Sequence, residues 1–257
     1  MTRVIAVTNN KGGVGKTHTV FHLAGALAEQ GKRVLLIDLD PQGNLTGLFF
    51  GTDVKQPGLY DVLVNDVPLH RAIHGTEFEQ IAIVPSSKQL QHVDAVLQNE
   101  PDSQIRLADA LQEKRAAQYQ YDVVLFDCPP SVGVTTRNAL AAANRVIIPI
   151  EADKFSVEGL DSLVQVFQTM KRAVNPRLEI AGILISLFNG RRAIERIYEE
   201  TLRGRDLPIF DTKIKDSSKY REAITARKPI THYLPKSEHA EAFRALAQEL
   251  EHAYAVH

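Results

Sequence analysis

The chain has 257 residues, with 30 Lys+Arg against 31 Asp+Glu and a formal net charge of −1, and it is 44% hydrophobic and 24% charged. That length and mix fit one large α/β domain of ordinary composition, and the balanced charge argues against a surface that is basic throughout. A single cysteine excludes a disulfide framework and a cysteine-built metal site and fits a reducing cytoplasm, and no apolar run is long enough to span a bilayer.

Val4 to Val7 is an apolar run that reads as a buried strand, with no signal peptide ahead of it. Thr8-Asn9-Asn10-Lys11-Gly12-Gly13-Val14-Gly15-Lys16-Thr17 follows, and then a helical pattern with Leu23, Ala24, Leu27 and Ala28 on one side. Strand, glycine-rich loop, helix is the setting of a phosphate-binding loop. Glycines let successive N–H groups turn toward phosphate oxygens, and the helix adds its positive end. Lys16 is placed to reach the β- and γ-phosphates, and the Thr17 hydroxyl to hold Mg²⁺. The ordinary pattern wants Gly where Asn10 stands, and it has no second lysine such as Lys11. On the loop alone, Lys11 reads as a solvated residue beside a generic phosphate site.

Val34-Leu35-Leu36-Ile37 is apolar without alternation, as expected of a parallel strand covered on both faces. It runs into Asp38-Leu39-Asp40-Pro41-Gln42-Gly43-Asn44, and carboxylates at that end of a parallel strand sit where ligands bind in open α/β sheets. A lone aspartate there is usually a helix cap; here there are two. Residues 45–120 say less. Gly51 to Gly58 reads as a loop, Leu59–Val64 as a short helix and Ile81–Pro85 as a strand. Leu90–Leu97 and Ile105–Leu111 read as helical segments separated by Pro101, with Ser86-Ser87 as a cap for the first. His70, His74 and His92 lack metal-ligand spacing and read as surface or satisfied histidines.

Tyr121 to Phe126 is an apolar strand ending in Asp127, followed by Cys128-Pro129-Pro130-Ser131. A strand ending in Asp is the Walker B arrangement, which places Asp127 to bind Mg²⁺ through water. Cys128 reads as filling a small core slot behind that loop. A helix starts near Thr136–Leu140, Val146–Ile150 and Ile180–Ile185 are further buried strands, and Ser156–Val174 is an amphipathic helix between them. The alternation implies a doubly wound, mostly parallel sheet with helices on both faces. From Arg191 to Lys236, twelve Lys/Arg face seven Asp/Glu, which makes this segment the basic part of the chain. The last helix, Ser237 to about Tyr254, carries Ala242, Phe243, Leu246, Ala247 and Leu250 at helical spacing and is expected to pack on the sheet.

The segments 8–18, 37–44 and 122–131 together resemble the deviant Walker A loop, the switch-like segment and the Walker B strand of the ParA/MinD group of ATPases, and within it the ParA/Soj partition ATPases. The likeness covers nearly the whole chain and implies one ParA-type ATPase domain over residues 1–257. It implies ATP held by Lys11, Gly12, Gly13, Val14, Gly15, Lys16, Thr17 and His18, and Mg²⁺ held by Thr17, Asp38 and Asp127. Catalysis would fall to Lys11, Lys16 and Asp40, with Asp40 orienting or activating the attacking water. Lys11 would reach the partner's nucleotide across an ATP-bound homodimer. Several basic clusters match the family's non-specific DNA-binding positions: Arg191 or Arg192, Lys219, Arg221, Arg227 and Lys228. The resemblance further implies a ParB-type partner that stimulates hydrolysis, and a cytoplasmic, nucleoid-associated protein that does not use a membrane.

Relatives with other roles fit less well. The nitrogenase iron protein and the iron–sulfur scaffold ATPases need paired cysteines. MinD-type proteins end in a basic amphipathic helix, whereas Glu249 to His257 is acidic. A first strand from residue 3 resembles the short ParA form, without a helix-turn-helix extension. Two alternatives stay open: a ParA-like ATPase that positions another cargo, and a dethiobiotin synthetase-like ligase, which shares the sheet and phosphate loop but has no use for Lys11. His18 stands where the family usually has Thr or Ser. Its imidazole either disturbs phosphate packing or points away.

Overall fold

Every apolar run read above as a strand is a strand of one sheet. In the computed structural model, which describes residues 2–53, 55–112, 121–190 and 193–255, the chain begins with β1 (Arg3–Val7), α1 (Lys16–Glu29), β2 (Val34–Asp38), α2 (Asn44–Phe50) and α3 (Leu59–Val64). It continues through β3 (His74–Gly75), β4 (Ile81–Val84), α4 (Val93–Leu97), α5 (Arg106–Gln112), β5 (Val123–Asp127), α6 (Val134–Ala142), β6 (Arg145–Ile150), α7 (Lys154–Ala173) and β7 (Glu179–Ile185). Four helices follow: α8 (Ala193–Arg203), α9 (Ser218–Thr225), α10 (Ile230–Tyr233) and α11 (Glu238–Ala255). The sheet has seven strands in the order β3-β4-β2-β5-β1-β6-β7, all parallel except the short edge strand β3.

The unbroken apolar runs are explained by the two faces. Val34 and Leu36 point into a core layer shared with Ile5, Val7 and the α1 residues Phe21, Leu23 and Leu27, while Leu35 and Ile37 point into the opposite layer with Phe126, Leu140 and Leu163. Neither side of β2 meets water, so alternation has nothing to report. Strand order reverses about β1: the chain moves from it toward β2 on one side and later returns to place β6 on the other. Loops leaving the carboxyl ends of β1 and β6 therefore diverge and leave a crevice, the usual ligand position in this architecture.

α11 shares its core layer with Ile147 and Leu184 of the sheet, but it lies chiefly along α1. The expected packing on the sheet is met: Phe243, Leu246, Ala247 and Leu250 lie in one layer with Ile147, Ala181 and Leu184, and α11 takes its place there beside α1. Arg244 on α11 holds Glu29 on α1 with contacts of 2.6 and 2.8 Å. Gly25 permits the close approach of the segment at Pro229, since a Cβ there would overlap the Pro229 ring. The expected Ser86-Ser87 cap is corrected. Lys88–His92 is a 3₁₀ turn, Ser87 at its N-cap makes no side-chain capping bond, and the Ser86 hydroxyl is used elsewhere.

Candidate nucleotide site

β1, β2 and β5 deliver their last residues to one place. Val7 lies beside Asp127 in the register of β1 and β5, and Asp38 lies beside Asp127 in the register of β2 and β5. The loop from Thr8 to Gly15 leaves β1 at this level. Gly13 and Gly15 take φ of 80° and 84°, a region that L side chains adopt at a cost. The loop is pinned from three sides. Asn9 Nδ2 donates to the Pro149 carbonyl at 2.7 Å, the Lys11 N–H donates to Asn9 Oδ1 at 3.0 Å, and Ser186 Oγ, just past β7, donates to the Val14 carbonyl at 2.8 Å. Asn10, the departure from the ordinary pattern, breaks none of these bonds.

Lys16 opens α1 and folds back so that Nζ donates to the Lys11 carbonyl at 3.0 Å. It is only 7% exposed, and burial lowers its pKa against the opposing pull of Asp127. Asp38 and Asp127 are fully buried. Asp38 accepts bonds from Thr46 and from the Asp40 N–H, whereas neither Asp127 oxygen receives a hydrogen bond of good geometry, with the Thr17 hydroxyl beside it. Burial, and then the neighbouring Asp38 charge, raises the Asp127 pKa; burial raises that of Asp38 to about 6. Two buried carboxylates side by side, one with both oxygens unpartnered, fit a hard divalent cation. Among the described residues no group of three or more His, Cys, Asp or Glu forms a metal cage. Mg²⁺ needs none, since one or two carboxylates, a hydroxyl and phosphates suffice.

Asp40 is half-buried, and its Oδ1 accepts the Gln42 N–H at 2.9 Å. Cys128 is buried, its N–H donates to the Val7 carbonyl at 3.2 Å, and burial with the nearby Asp127 pushes its thiol pKa up. It fills the core slot expected of it. Lys11 has partners that sequence reading missed: its Nζ lies 3.0 Å from Glu151 and 2.6 Å from Asp153, both just past β6. The signal was available. Glu151-Ala152-Asp153 places carboxylates at the carboxyl end of a parallel strand, the same cue that marked Asp38.

A sequence family described as an AAA domain matches residues 2–180. The chromosome partitioning protein ParA of Myxococcus xanthus is 38% identical over 250 residues, 96% of this chain and 87% of that protein. The sporulation initiation inhibitor protein Soj of Bacillus subtilis is 36% identical over 252 residues, 97% of this chain and 98% of that protein. This chain belongs to the ParA/Soj family of ATPases. Among solved structures, a cobyrinic acid a,c-diamide synthase from Mycobacterium smegmatis with bound ATP analogue and magnesium superposes with a TM-score of 0.86 at 33% identity, over 99% of this chain and 96% of that one.

Against the ParA/Soj pattern, His18 is the departure inside the loop, and its ring turns away from the phosphate side. It packs edge-on to His22 at 4.4 Å and to Tyr220 at 4.7 Å between ring centroids, with Phe243 at 5.8 Å. His22 is buried, its Nδ1 accepts the Ile230 N–H at 2.9 Å, and its Nε2 has no partner. Burial lowers the His18 pKa to about 4, and burial with the nearby His18 takes that of His22 well below 6.5. Depressed pKa values contribute stability that is full above the ordinary value of 6.5 and lost as pH falls toward the folded-state values. Melting temperature is therefore expected to drop between pH 6.5 and 4, and each such histidine contributes a slope of about 1.4 kcal/mol per pH unit. His18→Ser should flatten the drop relative to wild type. An equal acid sensitivity in the two proteins would show that the ring is not held neutral.

The basic segment is less free than its charge count implied. Lys219 is paired with Glu222 at 2.9 Å and Arg221 with Asp216 at 3.0 Å, and Lys213 and Lys215 are paired with Glu199 and Glu238. Arg227 and Lys228 are exposed and have no carboxylate partner among the described residues. Arg191 and Arg192 lie outside the described residues.

Proposed function

We propose that this chain is a DNA segregation ATPase: it binds ATP and Mg²⁺, closes into a homodimer, holds double-stranded DNA without sequence preference, and is reset by partner-stimulated hydrolysis. As a member of the ParA/Soj family it is a partition or positioning ATPase; the DNA cargo is the finer reading. The observation that carries the nucleotide step is the fully buried Asp127 carboxylate beside Asp38, with neither oxygen in a hydrogen bond of good geometry and with Thr17 and Lys16 close by.

In this reading the loop N–H groups from Gly12 to Thr17 and the start of α1 bind the phosphates, and Lys16 supplies the fixed positive charge. Thr17, Asp38 and Asp127 would hold Mg²⁺, which when bound offsets phosphate charge. Asp40 orients the water that adds to the γ-phosphorus as the bond to the β–γ bridging oxygen breaks, giving ADP and phosphate. Lys11 exchanges its own carboxylates for the partner's nucleotide. ATP then favours the dimer, and a dimer that presents two basic faces favours DNA, so each ligand shifts the population toward the other. A ParB-type protein that stimulates hydrolysis would release both. Among the described residues no helix is long and apolar enough to cross a membrane, and we place the protein's action in the cytoplasm, on the nucleoid.

An ATP-dependent amide-forming ligase is the second reading, since one solved relative is a diamide synthase. Releasing ammonia from glutamine would ask for an accessible nucleophile such as a thiolate, and the one thiol here is buried and held protonated. DNA affinity measured without nucleotide, with ADP and with ATP separates the readings. Tight binding is expected with ATP alone, and equal affinity in all three states would sink the segregation reading. Within the basic segment, Arg227→Glu and Lys228→Glu should weaken binding to every sequence. For each DNA phosphate that the protein no longer neutralises, the log–log salt slope should fall by about 0.9. Lys219→Ala should matter less, because Glu222 already neutralises that charge. Gel-shift titrations at several salt concentrations report all three variants.

A further inference from the structure

The residues leaving β2 are closed into a ring of hydrogen bonds with residues from α2 and the end of β4. Thr46, in the first turn of α2, donates to Asp38 Oδ2 through its N–H at 2.8 Å and through its hydroxyl at 2.7 Å. The same hydroxyl accepts the Ser86 N–H at 2.9 Å. Ser86, just past β4, donates its own hydroxyl to the Asp40 carbonyl, which also accepts the Gly43 N–H at 2.8 Å. The Asp40 N–H completes the ring on Asp38 Oδ1 at 3.1 Å.

Asp38, Thr46 and Ser86 are 0%, 7% and 4% exposed, so water does not stand in readily for either hydroxyl. Each hydroxyl has a defined task. Thr46 spends its donor on Asp38 and an acceptor on Ser86; Ser86 spends its donor on Asp40. The ring therefore fixes the path of residues 38–40. The Gly43 turn and the Gln42 N–H on Asp40 Oδ1 at 2.9 Å then set the direction of the Asp40 carboxylate itself.

We infer that Thr46 and Ser86 are positioning residues for hydrolysis, holding the Asp40 carboxylate in the direction from which it orients the attacking water. The inference rests on the role proposed above for Asp40 and is independent of DNA. Neither residue touches the reacting atoms; both act through Asp38 and Asp40.

Ser86→Ala removes one donor and little volume. It should lower kcat for ATP about tenfold with KM within about twofold, because a misdirected group weakens the transition state rather than ground-state binding. Thr46→Val should behave alike, and Thr46→Ser, which keeps the hydroxyl, should recover to within about twofold of wild type. A second readout needs no nucleotide. Backbone amide exchange at residues 39–43 of the free protein should rise at least about fivefold in Ser86→Ala, with β1 unchanged. Unchanged exchange in that segment overturns the inference whatever turnover does. Faster exchange with unaltered kcat overturns it too, as does a rise in KM at constant kcat. A wild type without ATP turnover sinks the functional reading and this inference with it. A wild type that turns over ATP alongside an equally active Ser86→Ala sinks the inference alone.

Discussion

Lys16→Ala is expected to abolish measurable nucleotide binding. Lys16 is 7% exposed, its ammonium donates to the Lys11 carbonyl at 3.0 Å, and it stands close enough to Asp127 and Asp40 for their charges to act on it. Its burial lowers the pKa, which marks a charge held out of water with incomplete compensation. A triphosphate supplies that compensation. The energy gained on binding is therefore large at this side chain, and among the described residues the other loop lysine, Lys11, is turned to Glu151 and Asp153 instead. Charge-assisted hydrogen bonds contribute about 1.5–3 kcal/mol each, and a lysine reaching two phosphates makes more than one. A loss of at least about 100-fold in affinity is the corresponding expectation. The substitution also removes a cation whose charge favours ionised Asp127, so protonation of that carboxylate becomes easier and the metal position is weakened as well. Titration with a fluorescent ATP analogue measures this directly. Wild-type affinity in a folded Lys16→Ala protein would remove the phosphate-loop assignment and everything built on it.

The parts of this site that could be read in advance share a property: their chemistry is carried by residues adjacent in sequence. The loop residues Lys11 to Thr17, and the acids Asp38 and Asp127 at the ends of apolar runs, need only strand placement to become neighbours, and register then brings the two acids side by side. The unbroken runs of β1, β2, β5 and β6 likewise announce a parallel sheet buried on both faces. What escaped were contacts made between segments distant in sequence. Ser86 and Thr46 are 40 residues apart and meet only because β4 pairs with β2. Ser86 looked like a helix cap because serine before a helical pattern usually is one, and tertiary pairing won over local propensity. α2, β3 and the helices of the basic segment escaped because they are short or amphipathic in ways a polar sequence obscures. The charge count of that segment was correct yet overstated its freedom, since ion pairs such as Lys219–Glu222 and Lys213–Glu199 cancel charge locally.

Lys11→Ala is expected to keep ATP and lose the ATP-dependent dimer, and the carboxylates around Lys11 explain why the two effects separate. Partial burial works against the Lys11 charge, but Asp153 at 2.6 Å and Glu151 at 3.0 Å outweigh it and raise the pKa. The ammonium is thus turned to its own β6–α7 corner, and Lys16 alone among the loop lysines faces inward. Truncating Lys11 should leave affinity for the first nucleotide within about threefold, because a half-exposed pair of this kind is worth at most about 1 kcal/mol. In the dimer proposed here, Lys11 must leave both acids for the partner's phosphates, where a denser negative charge and exclusion of water make the exchange favourable. Light scattering with ATP should then show a dimer for wild type and a monomer for Lys11→Ala. Glu151→Gln with Asp153→Asn releases the lysine without removing it and should lower the ATP concentration needed for dimerisation. The opposite shift, or none, would mean that these acids do not restrain Lys11. An unchanged ATP-bound dimer in Lys11→Ala would reduce the residue to a solvated loop lysine, and the second lysine of the loop would need another explanation.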